Sequence, residues 1–203
     1  SAGIVYTVDS STTAPTITTS DVSTSNTTQT ISGTAEANAY VEVLNSSTVV
    51  ATATANASGA WAAVVEVAAD TATTLTARST DTVGNSAVST SASSSGDRSV
   101  VITTDNTAPA TPVISSNALT TSAQPTITGT AVSGSTVIVN VAEATYSTTA
   151  SGGSWSVDLS SASVTSGTLD LETNAGNVVS VYAQDAVGNK SNPAEQVLVI
   201  DTT

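Results

Sequence analysis

Ile31-Ser32-Gly33-Thr34-Ala35 returns 96 residues later as Ile127-Thr128-Gly129-Thr130-Ala131. This internal repeat constrains the fold more than any other feature, because a unit that occurs twice in 203 residues has to fill its core twice, with about 100 residues each time. Further matches follow in the same order. Val41 and Val43 recur as Val137 and Val139, Gly59-Ala60-Trp61 as Gly153-Ser154-Trp155, and Asp81-Thr82-Val83-Gly84-Asn85 as Asp185-Ala186-Val187-Gly188-Asn189. The copies meet at Thr104-Asp105-Asn106-Thr107-Ala108-Pro109, which echoes Asp9 followed by Thr13-Ala14-Pro15. The expected division is a lead-in strand and linker over 1–9, one repeat over 10–105 and a second over 106–203. Since Asp201-Thr202-Thr203 starts the joint motif again, the chain is expected to be an excerpt from a longer array.

The repeat unit is expected to be a sandwich of β-strands. Val41 and Val43, then Leu75, Ala77 and Ser79, put one face inward at period two, and no stretch sustains a helical period. Val and Thr, stiff at χ1, favour pleated strands. Two Trp and four Tyr are the only aromatic residues, so each Trp, following a Gly turn, is the candidate to fill its unit's core. Pro15 before Thr16-Ile17-Thr18 reads as the start of an edge strand. The fold class is therefore all-β, two tandem immunoglobulin-like sandwiches with about seven strands each. The copies differ in where they carry extra residues, which loops absorb. From Trp to the Asp of the Asp-x-x-Gly-Asn turn is 20 residues in the first and 30 in the second, which adds Leu169-Asp170-Leu171-Glu172; the first instead carries Ser91 to Gly96.

Composition excludes several classes of function. With a net charge of −13 and only Arg78, Arg98 and Lys190 as basic residues, the chain has no patch for nucleic acid or an anionic membrane surface. The absence of His and Cys removes imidazole and thiolate chemistry, and a Ser nucleophile would lack its usual base. No apolar run is long enough to span a membrane. No enzyme activity and no small-molecule substrate are expected.

The order Thr-Ala-Pro, Gly33 to Ala39, Gly-x-Trp, Asp-x-x-Gly-Asn and a closing Asp resembles the bacterial Ig-like repeats of large, type I-secreted adhesins of Gram-negative bacteria, the RTX adhesins among them. The resemblance spans nearly the whole chain twice. In such a sandwich, the loops holding Glu36 and Asp81 share the end that receives Asp9. Three carboxylates held together repel one another unless a cation neutralises them, and calcium, a hard ion with six to eight oxygen ligands, suits them. Calcium near the domain joints is also what the resemblance implies, with Asp9, Glu36 and Asp81 as its ligands and Asp105 and Asp185 as the matching pair for the second repeat. There Val132 stands where Glu36 should, so a weaker site or other oxygens, such as those of Asp70, are expected. The alternative is that Asp81 and Asp185 cap their own turns without metal.

The function expected is that of a monomeric, extracellular spacer of a biofilm-type, cell-surface adhesin, partnered by neighbouring repeats and stiffened by calcium. A module that touches a glycan, a surface or ice directly is the alternative, and it would carry an apolar or aromatic patch on one repeat that the other lacks.

Overall fold

The computed structural model describes residues 8–89 and 99–203. Residues 4–7 of the expected lead-in strand, the Ser91–Gly96 segment and Arg98 lie outside the described residues; Val8 is exposed and not in a strand. The described residues contain strands and no helix. They divide into two compact units, Ser1–Asn106 and Thr107–Thr203.

In the first unit, β1 (Thr16–Ile17), β3 (Thr28–Thr34) and β6 (Ala60–Glu66) form one sheet in the order β1-β3-β6. The facing sheet runs β2 (Val22–Thr24), β9 (Ser99–Thr104), β7 (Ala72–Thr80), β4 (Tyr40–Asn45), β5 (Thr48–Thr54), with β8 (Ser86–Val88) also paired to β7. The second unit repeats the plan. β10 (Val113–Ile114), β12 (Thr126–Thr130) and β15 (Ser154–Asp158) make one sheet, in that order. The other contains β11 (Leu119–Thr120), β17 (Ala194–Ile200), β16 (Gly176–Gln184), β13 (Thr136–Val141) and β14 (Ala144–Thr149). The protein thus has the all-β sandwich architecture expected of it. The strand count exceeds seven because the first strand of each unit splits and, in the first unit, the short β8 is added beside β7: β1 pairs antiparallel with β3, whereas β2 crosses to the other sheet and pairs parallel with β9.

The cores follow the period-two pattern. Ile17, Ile31, Trp61, Ala63 and Val65 of one sheet pack against Val41, Val43, Leu75, Ala77, Val100 and Ile102 of the other. Trp155 occupies the matching place in the second core. It is not the only aromatic there, as Tyr146 on β14 is fully buried beside it. Gly33 and Gly129 lie within strands, each under the indole of its Trp: an added Cβ would stand 2.6 and 2.5 Å from the ring and would collide with the carbonyl oxygen of Thr16 or Val113.

The two joints also differ from the sequence alignment. Thr16 pairs with Thr34 and Val113 with Thr130, so the residue in the place of Pro15 is Pro112 rather than Pro109. The segment leading into the second unit is therefore one residue longer between its Asp and its first strand.

Candidate metal centre

Three chain segments converge at one end of the first unit. Glu36 sits in the connection from β3 to β4, Asp81 opens the turn after β7, and Asp9 belongs to the segment that precedes β1. One carboxylate oxygen from each lies within 4.8 Å of the other two. Asp81 is buried, Glu36 half-buried and Asp9 exposed.

Local sequence explains how the residues are held. Gly84 takes the left-handed backbone (φ 98°) that closes the turn. Asp81 Oδ1 then accepts hydrogen bonds from the amides of Val83 (2.9 Å) and Asn85 (2.8 Å), while its Oδ2 accepts from Asn85 Nδ2 (2.7 Å). The same Asn85 nitrogen donates to the backbone oxygen of Asp9 at 3.3 Å, so one side chain ties the incoming segment to the turn. Two further bonds pin that segment: Thr12 Oγ1 donates to Glu36 Oε2 (2.9 Å) and Ser79 Oγ to the carbonyl of Thr13 (3.2 Å). The sequence motif includes Asn85 but gives no sign that it reaches Asp9; the roles of Thr12 and Ser79 have no local signal at all.

Burial favours the neutral form of Asp81, but the hydrogen bonds from the Asn85 side chain and from the amides of Asn85, Val83 and Gly84 outweigh it and hold the carboxyl below its ordinary pKa. It is ionised at neutral pH. Arg78, the one basic side chain among the described residues of this unit, is paired with Glu42 at 2.7 Å. Chemically the site is a set of hard oxygen donors. Calcium–oxygen bonds of about 2.3–2.6 Å put two ligands on opposite sides of an ion roughly 5 Å apart, so oxygens within 4.8 Å of one another can share one. The turn-capping role of Asp81 and a place in the cluster are thus compatible, because each carboxylate oxygen has more than one lone pair.

In the second unit Asp185 builds the same turn. Its Oδ1 accepts from the amides of Val187, Gly188 and Asn189 at 2.8–2.9 Å and its Oδ2 from Asn189 Nδ2 at 2.8 Å. Burial again opposes ionisation, and the bonds from Asn189, Val187 and Gly188 again prevail and lower the pKa. The bond from Ser135 N to Val132 O (3.1 Å) copies that from Ala39 N to Glu36 O (3.1 Å), which puts Val132 in the place of Glu36. Val132, Asp185 and Pro109 line one crevice of about 240 Å³. Asp105 belongs to the first unit, its amide bonded to Thr24 O at 3.0 Å. Asp70, with φ 55°, accepts from the amide of the next residue, Asn106, at 2.6 Å. In the second unit, Asn174, with the same φ, accepts from the amide of Thr202 at 3.0 Å. Asp70 therefore helps to hold the departing chain of its own unit.

Residues 14–96 match the family model of the bacterial Ig domain. Among solved structures, the fibronectin(III)-like modules of Clostridium thermocellum CbhA align over 93% of this chain and 95% of theirs, at 18% identity and a TM-score of 0.50. A biofilm associated protein BSP domain aligns with 95% of this chain and 30% of its own, at 22% identity and a TM-score of 0.33. The D00-D0 domain of Intimin aligns with 92% and 98%, at 16% identity and a TM-score of 0.32. Comparison with curated protein sequences finds no match. The fold is thus of the immunoglobulin/fibronectin(III) type, and the first repeat is similar over residues 14–96 to the bacterial Ig domain.

Proposed function

We propose that this chain is a non-catalytic extender of a bacterial cell-surface adhesin of the RTX, biofilm-forming kind, working outside the cell and projecting a distal adhesive domain. The observation that carries the reading is that Asp9, Glu36 and Asp81 come from three separate segments, one of them the segment through which the chain enters the unit. A calcium ion there supplies the positive charge that lets the three carboxylates sit together, and so fixes the incoming segment to the sandwich. Without it, carboxylate repulsion works against the bonds from Asn85, Thr12 and Ser79. In the second repeat Asp185 has lost its Glu36 counterpart to Val132, so the site around Asp185 is the weaker one. Limited proteolysis tests the proposal: calcium is expected to protect the entering segment around Asp9 in the parent chain, and Glu36→Gln in calcium to be cut there as the parent is in chelator. Equal cleavage in all three samples would reject it.

A direct binding module is the second reading, favoured by one difference between the repeats. Glu42 and Arg78, paired across β4 and β7, are replaced at the same register by Ile138 and Tyr182 on β13 and β16. Further along, Val178 and Val197 face each other across β16 and β17, both more than half exposed, where the first unit has Thr74 and Val101. Lys190 Nζ lies 5.1 Å from the Tyr182 ring centre. Glycan or ice binding by this face, lost in Tyr182→Arg with Ile138→Glu, would support it; absence of binding would remove it.

A further inference from the structure

The free edge of β6 sets the two repeats apart. β6 closes the three-stranded sheet of the first unit and pairs with β3 over all seven of its residues, from Thr34↔Ala60 to Thr28↔Glu66, without a register shift. Its outward side chains are Ala60, Ala62, Val64 and Glu66, and Val64 is 61% exposed. Ala60 N donates to Asn56 Oδ1 (3.0 Å) and Asn56 N to Ala60 O (2.9 Å), so the open part of the edge runs from Ala62 to Glu66. There the outer row of amides and carbonyls has no strand partner among the described residues, and an apolar edge without Pro or Lys is a template for another strand. No charged residue lies between Glu42 and Glu66.

The second unit guards the same edges by other means. The residue that matches Val64 in register is Asp158, opposite Thr126 as Val64 is opposite Thr30. Hydrogen bonds from Ser160 and Ser161 keep Asp158 ionised, and its strand, β15, is only five residues long. The edge of the facing sheet is blocked too, at β14: Thr145 N donates to Ser166 O (2.8 Å) and Thr165 N to Thr145 O (2.7 Å), so part of the longer connection of the second repeat lies along that strand. In the first unit the corresponding strand, β5, is instead interrupted by a register shift at Val43/Leu44. Among the described residues, with β1 and β2 only two and three residues long, that leaves β6 as the longest edge strand of the first unit without a register shift.

We propose that β6 of the first unit is a self-association surface, where a second copy of this chain adds its own β6 antiparallel across a two-fold axis. Centred on Ala63, the pairing sets Ala62 opposite Val64 twice, with Ala60, held by Asn56, opposite Glu66 at each end of the ladder. No like charges face each other directly, which matters for a chain of net charge −13. Two three-stranded sheets become one of six, and the exposed valines cover the alanines of the partner. The closed contact is isologous, so it stops at a dimer. So short a strand pair buries less than the roughly 1,600 Å² of a standard interface, so the monomer expected from the sequence is the dilute state and the dimer forms on concentration. The inference does not depend on the cation site.

Sedimentation velocity of the intact chain, from micromolar to millimolar concentration and in chelator throughout, tests the proposal. A concentration-dependent dimer is expected. Val64→Asp, which installs the residue that the second repeat carries, is expected to weaken the dimer by about tenfold or more, since it removes two apolar contacts and puts two carboxylates diagonally across the join. Val64→Lys should do the same, and both variants should melt as the parent does because position 64 is exposed. Conversely, Asp158→Val is expected to open a second edge and yield species larger than dimers. A parent chain that stays monomeric at millimolar concentration, or a dimer with undiminished affinity in Val64→Asp and Val64→Lys, would overturn the proposal.

Discussion

Replacing Gly33 with Ala should destabilise the first unit far more than a surface Gly→Ala change does. The new Cβ has two neighbours that cannot yield easily: the backbone carbonyl of Thr16 and the Trp61 ring at 2.6 Å. If the ring gives way, the core is overpacked, which costs about 1–3 kcal/mol. If β1 gives way, Ile17, now 1% exposed, returns to water at about 1.5–3 kcal/mol, and the bond from Thr18 N to Ser32 O (2.8 Å) is strained or lost for about 1 kcal/mol more. The cheaper route sets the cost, about 2–3 kcal/mol, which for a domain of this size lowers Tm by roughly 8–24 °C. Calorimetry of the whole chain is the assay. The transition of the first unit should fall and that of the second should stay, and Gly129→Ala should reverse the pattern through Trp155 and the Val113 carbonyl. Gly84→Ala is the comparison: nothing lies within 4 Å of its added Cβ, so only the left-handed backbone is penalised, at about 1–2 kcal/mol. A Gly33→Ala protein melting within a few degrees of the parent would refute the assignment of this glycine to a close approach between β1, β3 and the indole.

The lowered pKa values of Asp81 and Asp185 fix the sign of an acid effect. A carboxyl whose folded pKa lies below its unfolded one contributes stability above the unfolded value and loses it as pH falls through the folded one. Acid titration followed by circular dichroism should therefore show both units weakening as pH falls from the ordinary carboxylate range toward the lowered pKa values of Asp81 and Asp185, and Asp81→Asn should remove part of this dependence from the first unit alone. Val132→Glu places a second carboxylate beside Asp185 in the second unit; calcium is expected to raise the melting temperature of that unit more in the variant than in the parent.

Much of the sandwich could be read from the sequence because its signals are local. Val41 and Val43 alternate with polar residues, Gly59 and Gly84 mark turns with positive φ, and these patterns recur in the second copy. The convergence of the Glu36 and Asp81 loops follows from sandwich topology once the strands are assigned. What stayed hidden depends on pairing between distant segments. The crossing of β2 to the second sheet is set by Val22↔Ile102, 80 residues apart, and leaves no trace in either segment. Pro109 imitates Pro15 in its motif, although register with β12 gives that place to Pro112. Tyr146 looks like any other scattered tyrosine until β14 pairs with β13 opposite Val139 and turns the ring inward. At the candidate site, the carboxylates were legible as a type of residue at a type of loop. Asn85, Thr12 and Ser79 were not, because their partners lie 76, 24 and 66 residues away.

Thermal melts of the intact chain in chelator, in millimolar calcium and in millimolar magnesium test the central claim most directly. A ligand bound only by the folded state, at a hundredfold excess over its Kd, stabilises by about 2.7 kcal/mol, or roughly 10–20 °C for a domain of this size. Magnesium demands shorter bonds and sheds water reluctantly, so it should substitute poorly. The account predicts a calcium-specific rise in the melting of the first unit that Glu36→Gln abolishes. Three coincident melts would contradict it and leave Asp9, Glu36 and Asp81 as carboxylates that only cap turns and tether the incoming chain.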